Sequence, residues 1–142
     1  MTRLDDHTGM EVLSERDCFV LLEQAHFGRL GLTVGALPTI LPINFALLGR
    51  DPVFRTDAGT KLEAATNGHV LCLEIDDVDT LMHDGWSVVV TGRASVIDDD
   101  EELAAARQLP LQPWVGRGSS YVRIRASMVS GRRLRPAGVS QG

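Results

Sequence analysis

The chain has 142 residues, 44% of them apolar and 23% charged, with a formal net charge of -5. That length suits one domain with a core that needs no disulfide or metal staples, and the composition excludes disorder. The acidic balance speaks against a nucleic-acid partner, because counterion release requires a broad cationic surface.

The expected organisation is a single domain over residues 1–142, with flexible ends at 1–11 and 137–142. Residues 1–11 carry acids and no apolar run, so no signal peptide is read there, and no stretch approaches membrane-spanning length. Cys18 and Cys72 stand far apart and match neither a disulfide framework nor a metal-site spacing. Two reduced, mostly buried thiols and a cytoplasmic location are the expectation.

Ser14-Glu15-Arg16-Asp17 opens a helix on which Cys18, Leu21, Leu22 and Ala25 share one face, and Gly28 is read as its stop. Leu30, Leu32 and Val34 then alternate with polar or small neighbours at the period of a strand. A turn at 35–38 leads to an apolar run over 39–48, in which Pro42 lacks a donor and implies an edge, a bulge or a ligand-facing position. Residues 49–52 turn the chain into a hairpin with 53–56. Thr60 is a candidate cap for a short helix over 61–66, followed by a strand over 69–75 and an acidic loop over 76–85.

The longest β signal covers 86–97, rich in valine, with Gly92 marking a bend at a barrel corner. Acids over 98–102 suit the first turn of a helix running to about Gln108. After a loop over 110–120, strands are expected over 121–126 and 130–134. Strands and helices do not alternate, so the fold class is mainly β with flanking helices, an antiparallel barrel closed or nearly so. The basic run Arg132-Arg133-Leu134-Arg135 reads as a solvated edge.

Chemistry concentrates in Phe54-Arg55-Thr56-Asp57-Ala58-Gly59-Thr60-Lys61, where two cations, two hydroxyls and a helix start fall within one short segment. Arg55 offers a planar fork of donors, Lys61 a point charge, Thr56 and Thr60 hydroxyls: together they suit a phosphate. The same residues also read as solvated charges beside a hairpin with Thr60 capping a helix, and composition leaves both readings open. Neither a Walker-type nor a dinucleotide glycine pattern is present. His7, His26, His69 and His83 lack metal-ligand spacing, the acids at 76, 77, 79 and 84 lack a calcium-loop pattern, and neither cysteine has the setting of an activated nucleophile, so no metal is expected.

Taken in order, the opening helix with Gly28-Arg29-Leu30, then Leu41-Pro42-Ile43-Asn44-Phe45, Phe54-Arg55-Thr56 with Gly59-Thr60-Lys61, and Gly85-Trp86-Ser87-Val88 leading to Thr91-Gly92-Arg93-Ala94 give the chain its character. It resembles the pyridoxamine 5'-phosphate oxidase-like, FMN-binding split-barrel proteins, especially their short actinobacterial-type members. The resemblance implies an antiparallel split barrel in which Arg55, Thr56, Thr60 and Lys61 hold the ribityl phosphate of FMN. Pro42, Ile43 and Asn44 would lie along the isoalloxazine ring, and Trp86 and Ser87 would come from the other subunit of a homodimer. A threonine stands at 60 where such proteins often have serine, a change that keeps the hydroxyl. Arg133-Leu134-Arg135 lacks the histidine of the Arg-x-His element that grips vitamin B6 substrates, so true pyridoxamine 5'-phosphate oxidation is not expected.

The resulting expectation is a flavin-dependent oxidoreductase in which the cofactor does the redox chemistry and no side chain need act as acid or base. Asn44 or a nearby backbone N–H would tune the ring. The alternatives are an F420-dependent reductase on the same fold, a non-catalytic flavin store or redox sensor, and an interaction module without cofactor. The apolar surplus of the strand over 86–97, anchored by Trp86, is the physical ground for expecting a dimer.

Overall fold

A computed structural model of the chain describes residues 3–4, 10–112 and 116–135. Among these are ten strands and three helices. Strands β1 (Arg3–Leu4) and β2 (Glu11–Leu13) precede helix α1 (Glu15–Gln24), so part of the end expected to be flexible is paired: Arg3 lies opposite Val12. Residues 136–142, and with them the expected C-terminal tail, lie outside the described residues.

The capping of α1 is as the sequence suggests, with the Ser14 hydroxyl accepting from the Asp17 N–H and Cys18 and Leu22 buried beneath. Its stop differs. The Ala25 N–H donates to the Leu21 carbonyl and the backbone turns extended at Ala25, while Gly28 lies inside β3 (Phe27–Val34), opposite Ile43. The turn into β4 (Leu37–Asn44) is carried by Gly35 and Ala36, both at positive φ.

The irregularity expected of the run over 39–48 is a break at Phe45, where the chain leaves β4 and enters β5 (Ala46–Leu48) in a different sheet. β5 forms the expected hairpin with β6 (Asp51–Thr56). After α2 (Lys61–Thr66), β7 (Val70–Asp79) and β8 (Asp84–Val96) form one long hairpin. The acidic segment over 76–85 is therefore no loop: Asp76, Asp77 and Asp79 continue the ladder to Asp84, and only four residues turn at its tip, where the Asp79 carboxylate accepts from the N–H groups of Leu81 and Met82. Pairing with valine-rich β8 overrides the low strand preference of aspartate, whose side chains stay at exposed or half-exposed positions. Helix α3 (Asp100–Arg107) is capped by Asp99, and β9 (Ser120–Ile124) and β10 (Met128–Leu134) close the order. The basic run 132–135 thus begins within β10.

All pairings are antiparallel. One sheet runs β1-β2-β10-β8-β7-β3-β4, and a second, β5-β6-β9, joins it through β8. The junction is at Gly92. β10 follows β8 as far as Thr91, and β9 takes over from Ala94. A Cβ at position 92 would overlap the Arg125 carbonyl in the link between β9 and β10, so the chain turns the barrel corner where only glycine fits. The barrel stays open between its two end strands, β4 and β1, which are not paired with each other. Leu30, Leu73, Val88, Val90, Phe45, Phe54 and Ile124 fill the space inside. None of the described helices is long and apolar enough to cross a membrane.

Candidate functional site

The end of β4, the end of β6 and the start of α2 converge on a cavity of about 460 Å3. One wall is the apolar strip Leu41, Pro42 and Ile43, followed by Asn44. Facing it are Arg55, Thr56, Asp57 and Thr60, with Leu62 below and Leu111 and Gln112 at the side. An apolar wall opposed by a few convergent polar groups is the usual make-up of a small-molecule site, and the volume lies within the roughly 300–1,000 Å3 such sites span.

Thr56 is buried, as the last residue of a strand whose alternate side chains face the core. Thr60 caps α2: its hydroxyl accepts from the Glu63 N–H at 3.1 Å and donates to the Asp57 carbonyl at 2.7 Å. Glu63 closes the turn by accepting from the Gly59 N–H at 2.9 Å, and its second oxygen accepts from the Ser120 hydroxyl. That hydroxyl, then the Gly59 N–H, holds the Glu63 carboxyl below its ordinary pKa. Lys61 opens α2 with its side chain exposed and, among the described residues, without an ion-pair partner.

Arg55 is engaged inside the protein. Its guanidinium donates to the carbonyls of Gly118 at 2.8 Å, Leu111 at 3.0 Å and Arg117 at 3.0 Å, and lies 5.1 Å from the centre of the Tyr121 ring. Asn44 is engaged too, donating from Nδ2 to the Gln112 carbonyl at 2.8 Å.

Of the residues singled out from sequence, the fold brings Pro42, Ile43, Asn44, Arg55, Thr56 and Thr60 to one cavity, with Lys61 adjoining Thr60 in the chain. Trp86 and Ser87 do not line it within one chain. Trp86 sits at the start of β8 between Asp77 and Arg133 and packs on the core, and Ser87 is its neighbour on the opposite face, between Asp76 and Arg132. Five lining residues escaped the sequence reading: Leu41, Asp57, Leu62, Leu111 and Gln112. Asp57 was legible as a member of the chemical segment, and Leu62 as the apolar position after a capped start. Leu111 and Gln112 belong to an irregular stretch whose placement depends on the partners Arg55 and Asn44, and no local pattern announces them.

Among the described residues, no group of three or more histidines, cysteines or acids stands together as metal ligands would.

A family model described as pyridoxamine 5'-phosphate oxidase matches residues 14–133. An uncharacterized protein of Mycobacterium tuberculosis is 34% identical over 128 residues, covering 86% of this chain and 84% of its own. Among solved structures, the FAD binding protein from Mycobacterium smegmatis shares 37% identity at a TM-score of 0.76, covering 88% of this chain and 98% of that one. A FAD-binding protein from Mesorhizobium loti, at 23% identity and a TM-score of 0.67 over 86% and 96% of the two chains, shares the fold. The fold, a mostly antiparallel and unclosed barrel, is thus the split barrel of the pyridoxamine 5'-phosphate oxidase-like proteins, and the chain belongs to the pyridoxamine 5'-phosphate oxidase family.

Proposed function

We propose that the chain is a flavin-binding redox protein that seats a flavin nucleotide in the cavity between β4 and α2. The observation that carries this reading is the opposition, across one cavity, of the apolar strip Leu41 to Ile43 and the hydroxyls of Thr56 and Thr60. A flat aromatic ring suits the strip; a phosphate suits hydroxyls with a cation beside them. Lys61 is that cation. The residues therefore fit the group, while the Arg55 guanidinium is engaged by backbone carbonyls.

When bound, the flavin supplies hydride or electron transfer. The chain's own residues bind and orient it: β4 carries the ring wall, α2 the phosphate end, and Asn44 stands at the ring's polar edge. FMN is the expected form, and F420 the alternative on the same fold. The M. smegmatis relative is a FAD binding protein, which adds the dinucleotide to the candidates. Purified protein is expected to carry or take up a yellow cofactor. Release of the bound molecule, its identification by mass, and titration of apoprotein with FMN, FAD and F420 test the reading; a colourless protein that binds none of the three overturns it.

We further propose that the site is completed in a homodimer, with Trp86 and Ser87 supplied across the interface. The strand over 86–97 presents less outward apolar surface than expected. Val88 and Val90 of β8 are fully buried in the chain's own core. The exposed large apolar residues include Ile40, Val70 and Met128 on other strands of the same sheet. Registers place Ile40, Gly31, Cys72, Thr91 and Met128 in one row across five strands, on the outer face of the sheet. A patch of this kind on a small domain marks a contact surface.

Turnover of pyridoxamine 5'-phosphate is expected to be negligible, because no histidine stands beside Arg133 and Arg135. Formation of pyridoxal 5'-phosphate by the flavin-loaded protein, followed by absorbance, checks this; sustained turnover refutes it.

A further inference from the structure

We propose that Arg55 is a positioning residue: it builds one wall of the cavity by tying together the chain around Leu111 and Arg117, and leaves the ligand's phosphate to Thr56, Thr60 and Lys61. The proposal rests on the flavin reading for the phosphate, and on geometry alone for the wall.

Arg55 reaches three carbonyls that belong to two separate stretches, Leu111 on one side and Arg117 with Gly118 on the other. Nε and both Nη atoms take part, a demand that the rigid planar fork of a guanidinium meets and an ammonium does not. Asp57 acts on the same two residues, Arg117 and Gly118, with opposite polarity. Its Oδ1 accepts from the N–H of Arg117 at 3.0 Å and from that of Gly118 at 2.7 Å. Residues 117 and 118 are thereby held through their carbonyls by Arg55 and through their N–H groups by Asp57.

The alternation of β6 separates these roles. Arg55 and Asp57 are two apart and share a side, whereas Thr56 between them is buried on the other. Gly116 supports the same arrangement: its φ is +74°, and a Cβ there would overlap the Asp57 carboxylate, so the close approach is built into the sequence. The Ala58 N–H donates to the Ser119 hydroxyl at 3.1 Å, and Asn44 fixes the Gln112 carbonyl from the opposite wall. Leu111 and Gln112, which these bonds hold, line the cavity directly.

Two measurements on Arg55→Lys and Arg55→Gln test the proposal. In the flavin-free protein, hydrogen exchange at the amides of Arg117 and Gly118 is expected to accelerate in both variants, although neither amide bonds to Arg55. In titrations, both variants are expected to lose affinity for riboflavin and for FMN by the same factor, about tenfold. Lys61→Ala, by contrast, should lose affinity for FMN and keep that for riboflavin, which has no phosphate. Unchanged exchange at 117 and 118, or a loss confined to FMN in the Arg55 variants, overturns the assignment. Collapse of the whole fold in both variants overturns it as well, because Arg55 would then support the barrel and not the wall. If the wild-type chain binds none of riboflavin, FMN, FAD and F420, the proposed function fails, and the exchange measurement still decides the role of Arg55.

Discussion

At the scale of single residues, Lys61 and Glu74 carry the sharpest expectations. Lys61 is the exposed cation beside Thr60 at the start of α2, proposed above to meet the ligand's phosphate, and a charge-assisted bond of that kind contributes about 1.5 to 3 kcal/mol. Lys61→Ala should therefore weaken FMN binding by roughly tenfold or more while the fold survives, as read by quenching of flavin fluorescence. Glu74 lies on the outer face of β7, where Arg29 bridges it at 3.3 Å and Asp76 at 3.0 Å. Burial first, then the neighbouring Asp76, raises the Glu74 pKa from 4.5 to about 7, against the opposing pull of Arg29. A raised carboxyl pKa means that the folded chain holds this proton more tightly than the unfolded one. The stability it brings is thus full below about pH 4.5 and is lost as pH rises through about 7. Because water reaches the pair, the effect is on the order of 1 kcal/mol. Glu74→Gln should flatten the fall in melting temperature from about pH 5 to about pH 8, on either side of that transition; a wild-type profile that is already flat rules the effect out.

At the scale of elements, β8 decides the architecture, and Gly92 decides β8. A side chain at 92 meets backbone, not a flexible tip, so the link between β9 and β10 would have to move. Gly92→Ala should cost about 1 to 3 kcal/mol, the usual penalty for overpacking, and lower the urea midpoint accordingly. An unchanged midpoint would show that the corner gives freely. This corner was legible in the sequence because a lone glycine interrupts a valine-rich strand, and the caps of α1 and α2 were legible because Ser14 and Thr60 precede their helices with an acceptor three residues before the N–H each receives. The hairpin tip between β7 and β8 was not, since aspartates announce a loop unless a strand partner already stands beside them. The stop of α1 was missed because Gly28 is small for the sake of its neighbour in β7 and not for a helix end. In the cavity, Pro42, Ile43, Asn44, Arg55, Thr56 and Thr60 were singled out from local motifs, whereas Leu111 and Gln112 owe their place to long-range bonds from Arg55 and Asn44.

At the scale of the whole molecule, the proposed homodimer draws on the outer face of the larger sheet. Ile40 is 74% exposed and Met128 68%, at the two ends of one row. If two copies meet there and complete each other's sites, flavin binding and dimerisation share one coupling free energy. Added FMN should then shift the chain toward dimer in sedimentation, and Ile40→Asp, which leaves the cavity intact, should lower both dimer stability and flavin affinity. A monomer that binds flavin stoichiometrically at every concentration sinks the interface.

The strand that ends this sheet also has a defence against disordered association. The Phe45 N–H donates to the His26 carbonyl, so the odd-numbered residues of β4 turn their backbone toward β3 and the even-numbered ones toward the open edge. Pro38 and Pro42 are both even and both without an N–H. Between them, Ile40 alone can donate to an incoming strand. An edge that would otherwise template cross-β growth is thus chemically blunted, and the chain can present apolar residues on its outer face without inviting its copies to zip together along β4.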